Sequence, residues 1–199
     1  MNNSNFNSEK SALPKSLGID GTSSSLHSLK GNWDAVGFFE NLTAENLLAQ
    51  KEQFTFCRVS GLDGFEEMLD NMQSSTAFVA VSDIAQGFTE LNNTPRTRRV
   101  KTIFFAMRHK IDDMNARQEC MEIMRELFRQ FMSRLILERT RLEQNCIYLD
   151  PRISFNEIDR YFFSGCACCY FQVAVDVFTD LRINSKEWSD ESGERTTSP

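Results

Sequence analysis

Val100-Lys101-Thr102-Ile103-Phe104-Phe105-Ala106-Met107 is the stretch on which the fold turns. It is nearly continuous in apolar, β-branched and aromatic residues, the pattern of a central strand buried on both faces. A few residues later the period changes. From Asp113 to about Asn145, apolar side chains recur at Met121, Met124, Phe128, Phe131, Leu135 and Leu142, in steps of three and four, and Cys120, Ile123 and Leu127 widen the stripe. Asp112 or Asp113 can cap the start of this helix, where the dipole favours a negative side chain. Unbroken, it would reach roughly 50 Å. A small sheet cannot cover that length, so the helix is expected either to kink near Thr140 or to project its end into a neighbouring chain. A last strand, Cys169 to Phe178, then alternates: Phe171, Val173, Val175 and Val177 on one side, Gln172, Ala174 and Asp176 on the other. Two strands of this strength fit a wholly helical bundle poorly. The expectation is an α+β domain, a mainly antiparallel sheet packed against one long helix and shorter helices, with the helices on one face.

Toward the N-terminus the elements are shorter. Leu42-Thr43-Ala44-Glu45-Asn46-Leu47 reads as a helix start, with Thr43 as cap and Leu42 packing on Leu47 as a hydrophobic staple. Gln53 to Val59 is strand-like. After Gly61 and Gly64, the spacing of Phe65, Met68, Leu69 and Met72 marks one face of a short helix. Thr76 to Val81 reads as a strand, Asp83 to Gly87 as a turn, and Ile153-Ser154-Phe155 as a short connection. Residues 1–32 and 189–199 are Asn-, Ser- and Gly-rich with few apolar groups; they cannot bury enough surface to offset the entropy of ordering and are expected to be flexible tails around a single domain over 33–188.

Composition narrows the function classes. In 199 residues, 41% are hydrophobic and 25% charged, enough apolar surface for a packed core. No stretch is apolar long enough to span a bilayer, and no N-terminal segment reads as a signal peptide, so no membrane association is expected. A net charge of -6 argues against a nucleic-acid-binding protein, because that role needs uninterrupted basic surface to replace phosphate counterions.

Cysteine is the one candidate handle for chemistry. Three of the six cysteines crowd into Gly165-Cys166-Ala167-Cys168-Cys169-Tyr170, with Cys57, Cys120 and Cys146 elsewhere. A tetrahedral thiolate metal site would need further ligands, and His27 and His109 lie at ligand spacing from no other Cys or His. Cys168 and Cys169 are neighbours in a strand and point to opposite faces. Reduced, packed thiols are expected, with no cofactor and no metal. Phosphate loops, nucleophile elbows and His-Glu-x-x-His pairs are absent, and Glu66-Glu67 and Asp112-Asp113 are explained as helix starts. No catalytic residue is assigned.

Arginine is distributed unevenly. Arg96, Arg98, Arg99 and Lys101 gather at the entry to the central strand, and six Arg lie on the long helix, while no Lys occurs between Ile111 and Ser185. Arg is the cation of bidentate pairing and of interfaces. Interleaved Glu119, Glu122, Glu126, Glu138 and Glu143 allow intrahelical ion pairs; subunit contacts are the competing reading, with Arg125, Arg129 and Arg134 as a broad basic flank of the helix and Arg98 and Arg99 on the strand side, all at or near the interface.

Phe104-Phe105-Ala106-Met107-Arg108-His109 followed by Asp112-Asp113-Met114, the run Arg125 to Leu135, Ile147-Tyr148-Leu149-Asp150, Gly165-Cys166-Ala167-Cys168 and Tyr170 to Asp176 together resemble small proteins from the tail-gene region of Bacteroides phages and prophages, over roughly residues 38 to 188. The order of elements is also similar to tail-terminator and neck proteins, by fold analogy. The resemblance implies a structural virion protein made in the bacterial host cytoplasm. It would form a ring of its own copies, six in the case of a terminator, that joins the tail tube to the head connector, its partners being tail-tube and connector proteins. The alternative is a small phage-encoded enzyme or regulatory protein with a Cys-based metal site at Cys166 and Cys168.

Overall fold

The computed structural model describes residues 33–110, 112–158 and 165–183. Its elements run α1 (Ala35–Glu45), α2 (Leu47–Lys51), β1 (Phe54–Val59), α3 (Leu62–Asn71), β2 (Ala77–Ser82), β3 (Gln86–Thr89), β4 (Arg96–Arg108), α4 (Met114–Gln144), β5 (Ile147–Leu149), β6 (Ser154–Ile158) and β7 (Cys166–Phe178). The fold is α+β. The expected tails over 1–32 and 189–199 lie outside the described residues.

The sheet is built on one antiparallel pair. β4 and β7 run beside each other for thirteen residues, from Arg96 opposite Phe178 to Arg108 opposite Cys166. On the outer edge of β4, β2 pairs with Ile103–Met107 and β3 with Thr97–Val100, so the two lie end to end in one row. On the outer edge of β7, β5 pairs with Val175–Val177 and β6 with Cys168–Gln172. β1 adds to β2 in parallel, the chain crossing between them through α3. The sheet is mixed by this one pair.

Alternation along β4 and β7 sends side chains to two cores. Ile103, Phe105, Met107, Cys169, Phe171, Val173 and Val175 face α1 and α4, joined there by Phe39, Met124, Leu127, Phe131 and Leu135. Phe171 sits at the centre of an aromatic cluster, its ring 5.8 Å from Phe39, 5.3 Å from Phe105 and 5.1 Å from Phe128. On the opposite face Phe104, Ala106, Cys166 and Cys168 meet Phe78, Phe65 and Leu69 under α3. Helices therefore cover both faces, not one. The reason is the β1–α3–β2 crossover, since a parallel connection must pass over a face of the sheet.

The long helix neither kinks nor projects. α4 is continuous over 31 residues, about 46 Å. The thirteen-residue strands beneath it are about 43 Å long, which matches. The sequence pattern put the central strand at eight residues, because Arg96-Thr97-Arg98-Arg99 do not look like a strand; those four residues lie under the far end of α4. Asp113 caps the helix, its Oδ1 accepting from the Ala116 N–H at 2.9 Å. At the other end Cys146 takes the left-handed region, φ 58°, and reverses the chain so that Ile147 and Leu149 pack beneath Leu142.

Further differences are local. α1 starts at Asp34, whose Oδ1 accepts from Gly37 N–H, and Thr43 lies within it, donating to the Phe39 carbonyl. The break comes at Asn46, which caps α2 and donates to Gln130 on α4. Leu47 is 80% exposed and staples nothing. The expected turn at 83–87 leads into β3, and the connection at 153–155 is the start of β6. Arg108, at the end of β4, donates to the carbonyls of Leu69 and Met72, the last turn of α3, and to Ser75. A cation there complements the negative end of the helix and ties α3 to the sheet.

Replacing Phe171 by Ala is expected to cost about 3–5 kcal/mol, because the aromatic cluster around it cannot collapse from both layers at once. Urea unfolding monitored by circular dichroism checks this; a loss below about 1 kcal/mol would mean the cluster is not tightly packed.

Candidate assembly interface

α3 is ten residues long, about 15 Å, while the strands beneath it are nearly three times that length. It covers the Phe104–Arg108 end of β4 and the Cys166–Cys168 end of β7, and no described helix covers the rest of that face. On β4 the uncovered positions are Thr102, Val100, Arg98 and Arg96; on β7 they are Gln172, Ala174, Asp176 and Phe178. The alternation that buries Phe104 places all eight on the same side.

The charged residues there are satisfied within the chain. Arg98 donates to Asp176, its cross-strand neighbour, at 2.9 Å, and to Asp150 after β5. The carboxyl of Asp150 is held below its usual range, first by the backbone N–H of Arg152 and then by Arg98, and the Arg98 guanidinium is raised, first by its bond to Asp150 and also by Asp176. Arg96 lies over the Tyr148 ring, 5.4 Å from its centre. Large apolar groups surround this network in the open: Phe88 is 57% exposed, Phe178 56% and Tyr148 45%. Tyr, Phe and Arg around a paired charge is the composition of the centre of a protein interface.

Where α3 begins, the step down to the bare sheet forms a cavity of about 370 Å³. Phe104, Tyr170, Thr102 and Gln172 make its floor, the Gln172 amide donating to the Thr102 hydroxyl at 3.3 Å. Ser60, Gly61 and Leu62 at the start of α3 form one wall and Ser82, Ile84 and Gln86 another. Among the described residues, none that line it is charged.

The arginines fall on the strand side and the helix side, as their elements require. Arg98 is on the α3 side of the sheet, whereas Arg125, Arg129 and Arg134 are on α4, across it. Arg125 holds Glu157 of β6 in a bidentate pair at 2.6 and 2.7 Å and also reaches Glu122. Arg129 is paired with Glu126 one turn earlier, which pulls the Glu126 carboxyl down to about 2, and Arg134 lies 3.7 Å from Glu45 of α1. Arg99 is exposed and takes part in an interaction of its own. The pairs made by Arg98, Arg125, Arg129 and Arg134 are thus partly intrahelical and partly ties between elements. Sequence reasoning missed the acceptors Asp150, Asp176 and Glu157; the available signal was Asp176 itself, a lone carboxylate in a strand of Val and Phe.

The cysteines are free thiols. Cys166 and Cys168 point under α3 and Cys169 toward α4, so the alternation splits the cluster between two apolar cores. Burial raises all three, Cys169 to about 12, and keeps them protonated and poorly nucleophilic. Among the described residues, no three of His, Cys, Asp or Glu come together as a metal-binding group. No described helix is long and apolar enough to cross a membrane. No family model matches the chain, and no curated protein matches it significantly.

Arg98→Met should lower stability by about 1–3 kcal/mol, because it strands two half-buried carboxylates, whereas Arg129→Met should leave unfolding unchanged. The pH dependence follows from Asp150. Its carboxyl is depressed in the folded state, so its contribution is complete above the unfolded pKa, about 4, and is lost as pH falls through the lower folded value. Urea titrations between pH 7 and pH 2 should show a shallower acid loss in Arg98→Met than in the parent; identical slopes would remove the network from the account.

Proposed function

We infer that this chain is a structural phage virion protein, a tail-terminator or neck ring subunit that joins the tail tube to the head connector. The observation that carries the reading is the half-open sheet face. A strand pair as long as β4–β7 is sufficient for a second helix beside α3, yet among the described residues Phe88, Tyr148 and Phe178 stand exposed there. Exposed aromatics gathered on one sheet face are a cost to a monomer and an asset to a subunit. The resemblance to proteins from phage tail-gene regions supplies the setting, and the buried, protonated thiols give the alternative of a Cys-based enzyme or regulator little to work with.

The test is position. Mass spectrometry of purified particles should detect the chain as a virion component, and gold-labelled antibody should mark the junction of head and tail. Particles lacking the gene product should separate into free heads and free tails. Its absence from purified virions would sink this reading.

A further inference from the structure

The described helices are not held alike. Asp34, Asn46 and Asp113 each cap the start of a helix, the side chain accepting from a backbone N–H of the first turn. α3 starts at Gly61, φ 112°, which has no side chain to accept with. Of the ten α3 residues, Phe65 and Leu69 are buried, against eight along α4. The Phe65 ring stacks on Phe104 at 4.8 Å, with Met68 and Met72 half-buried beside it. The uncapped start borders the cavity walled by Ser60 and Leu62. The last turn is gripped by a single side chain. Arg108 donates to the carbonyls of Leu69 and Met72, and to Ser75 just beyond at 3.0 Å, its guanidinium 5.7 Å from the centre of the Phe78 ring. Phe65 and Asp70 take part in interactions besides these.

We propose that α3 is a cover latched by Arg108, which lifts from the sheet as a unit while the strands and the α4 layer stay folded. A segment with few buried apolar groups and an uncapped end opens at lower free energy than the whole domain. The latch is one residue, so its bonds to the helix end are released together in one side-chain movement. Beneath the cover lie Phe78 on β2, Phe104 and Ala106 on β4, and Cys168 and Tyr170 on β7. These continue the rows of Val100 and Thr102 and of Gln172 and Ala174, so opening joins the covered part of the face to the uncovered part. Among the described residues, the closed form bares the Arg96–Thr102 part of β4 and the open form its full length. The cover is a property of the helix and its latch and is independent of the virion reading.

The cysteines report on it in the unmodified protein. Cys168 lies under α3 and its neighbour Cys169 under α4, both fully buried on opposite faces of β7. Each thiol reacts when its own layer opens. The test is pulsed alkylation of the full-length chain by iodoacetamide, in urea below the unfolding transition, with tandem mass spectrometry assigning the label to either position. Cys168 should be labelled at least about tenfold faster than Cys169 and with a shallower urea dependence, because lifting one helix exposes less surface than unfolding the domain. Arg108→Met should speed Cys168 labelling at least about tenfold by removing charge-assisted bonds, and change Cys169 less than about threefold. Arg108→Lys, which keeps a cation at the helix end, should fall between. A role in global stability alone would speed both thiols equally. Equal rates and urea slopes at Cys168 and Cys169 in the parent overturn the cover. So does an Arg108→Met chain in which both rise together or Cys168 is unchanged. If Arg108→Met fails to fold, the parent comparison and Arg108→Lys decide by the same criteria.

Discussion

Everything in this molecule depends on the full-length pairing of β4 with β7. Thirteen residues on each strand, in unbroken antiparallel register, set the length of the sheet, and the length of the sheet sets the rest. It gives α4 a bed for all of its 31 residues, which is why so long a helix needs no partner chain to be buried along one side. It also outruns α3 on the other face. The covered half of that face is a core and the uncovered half is a surface, although the same two strands make both.

Charge was placed to make this length possible. The β4 residues beyond the apolar run, Arg96 to Arg99, would be poor strand material alone. Arg98 is acceptable because Asp176 is fixed opposite it by register and Asp150 arrives from the end of β5. Arg125 does the equivalent on the other side, fastening α4 to β6 through Glu157. These arginines act as ties between elements, and the half-open face shows Phe88, Tyr148 and Phe178 around the Arg98 pairs.

Much of this was legible in the sequence where one residue's neighbours in the chain decide its environment. The α4 stripe and the alternation in β7 are local patterns, and both elements formed where the periodicity put them, as did the split of Cys168 from Cys169. What escaped was what depends on distant partners. β3 is exposed throughout and has no apolar rhythm; it is a strand only because β4 extends beside it. The first turns of β4 need Asp176, nearly eighty residues later, to make sense. Thr43 carries a cap's chemistry, but the helix had already begun at Asp34. The exposed aromatic face was missed for the same reason. Phe88, Tyr148 and Phe178 come from three strands and reach one face only through the sheet.

The long pairing also orders events in time. β4 is made before α4 and β7 after it, so the centre of the sheet cannot close until α4 and β7 have both been synthesised. Contacts of such wide sequence separation are slow to form, and until they do the apolar edge of Ile103–Met107 stands open. The parallel β1–β2 unit and the α4 helix are the parts able to organise beforehand, each from contacts within its own stretch of chain. A nascent copy therefore holds one open hydrophobic strand edge while the stretch between β4 and β7 is made. Premature association between copies would take place there, through the same edge that later becomes the middle of the finished sheet.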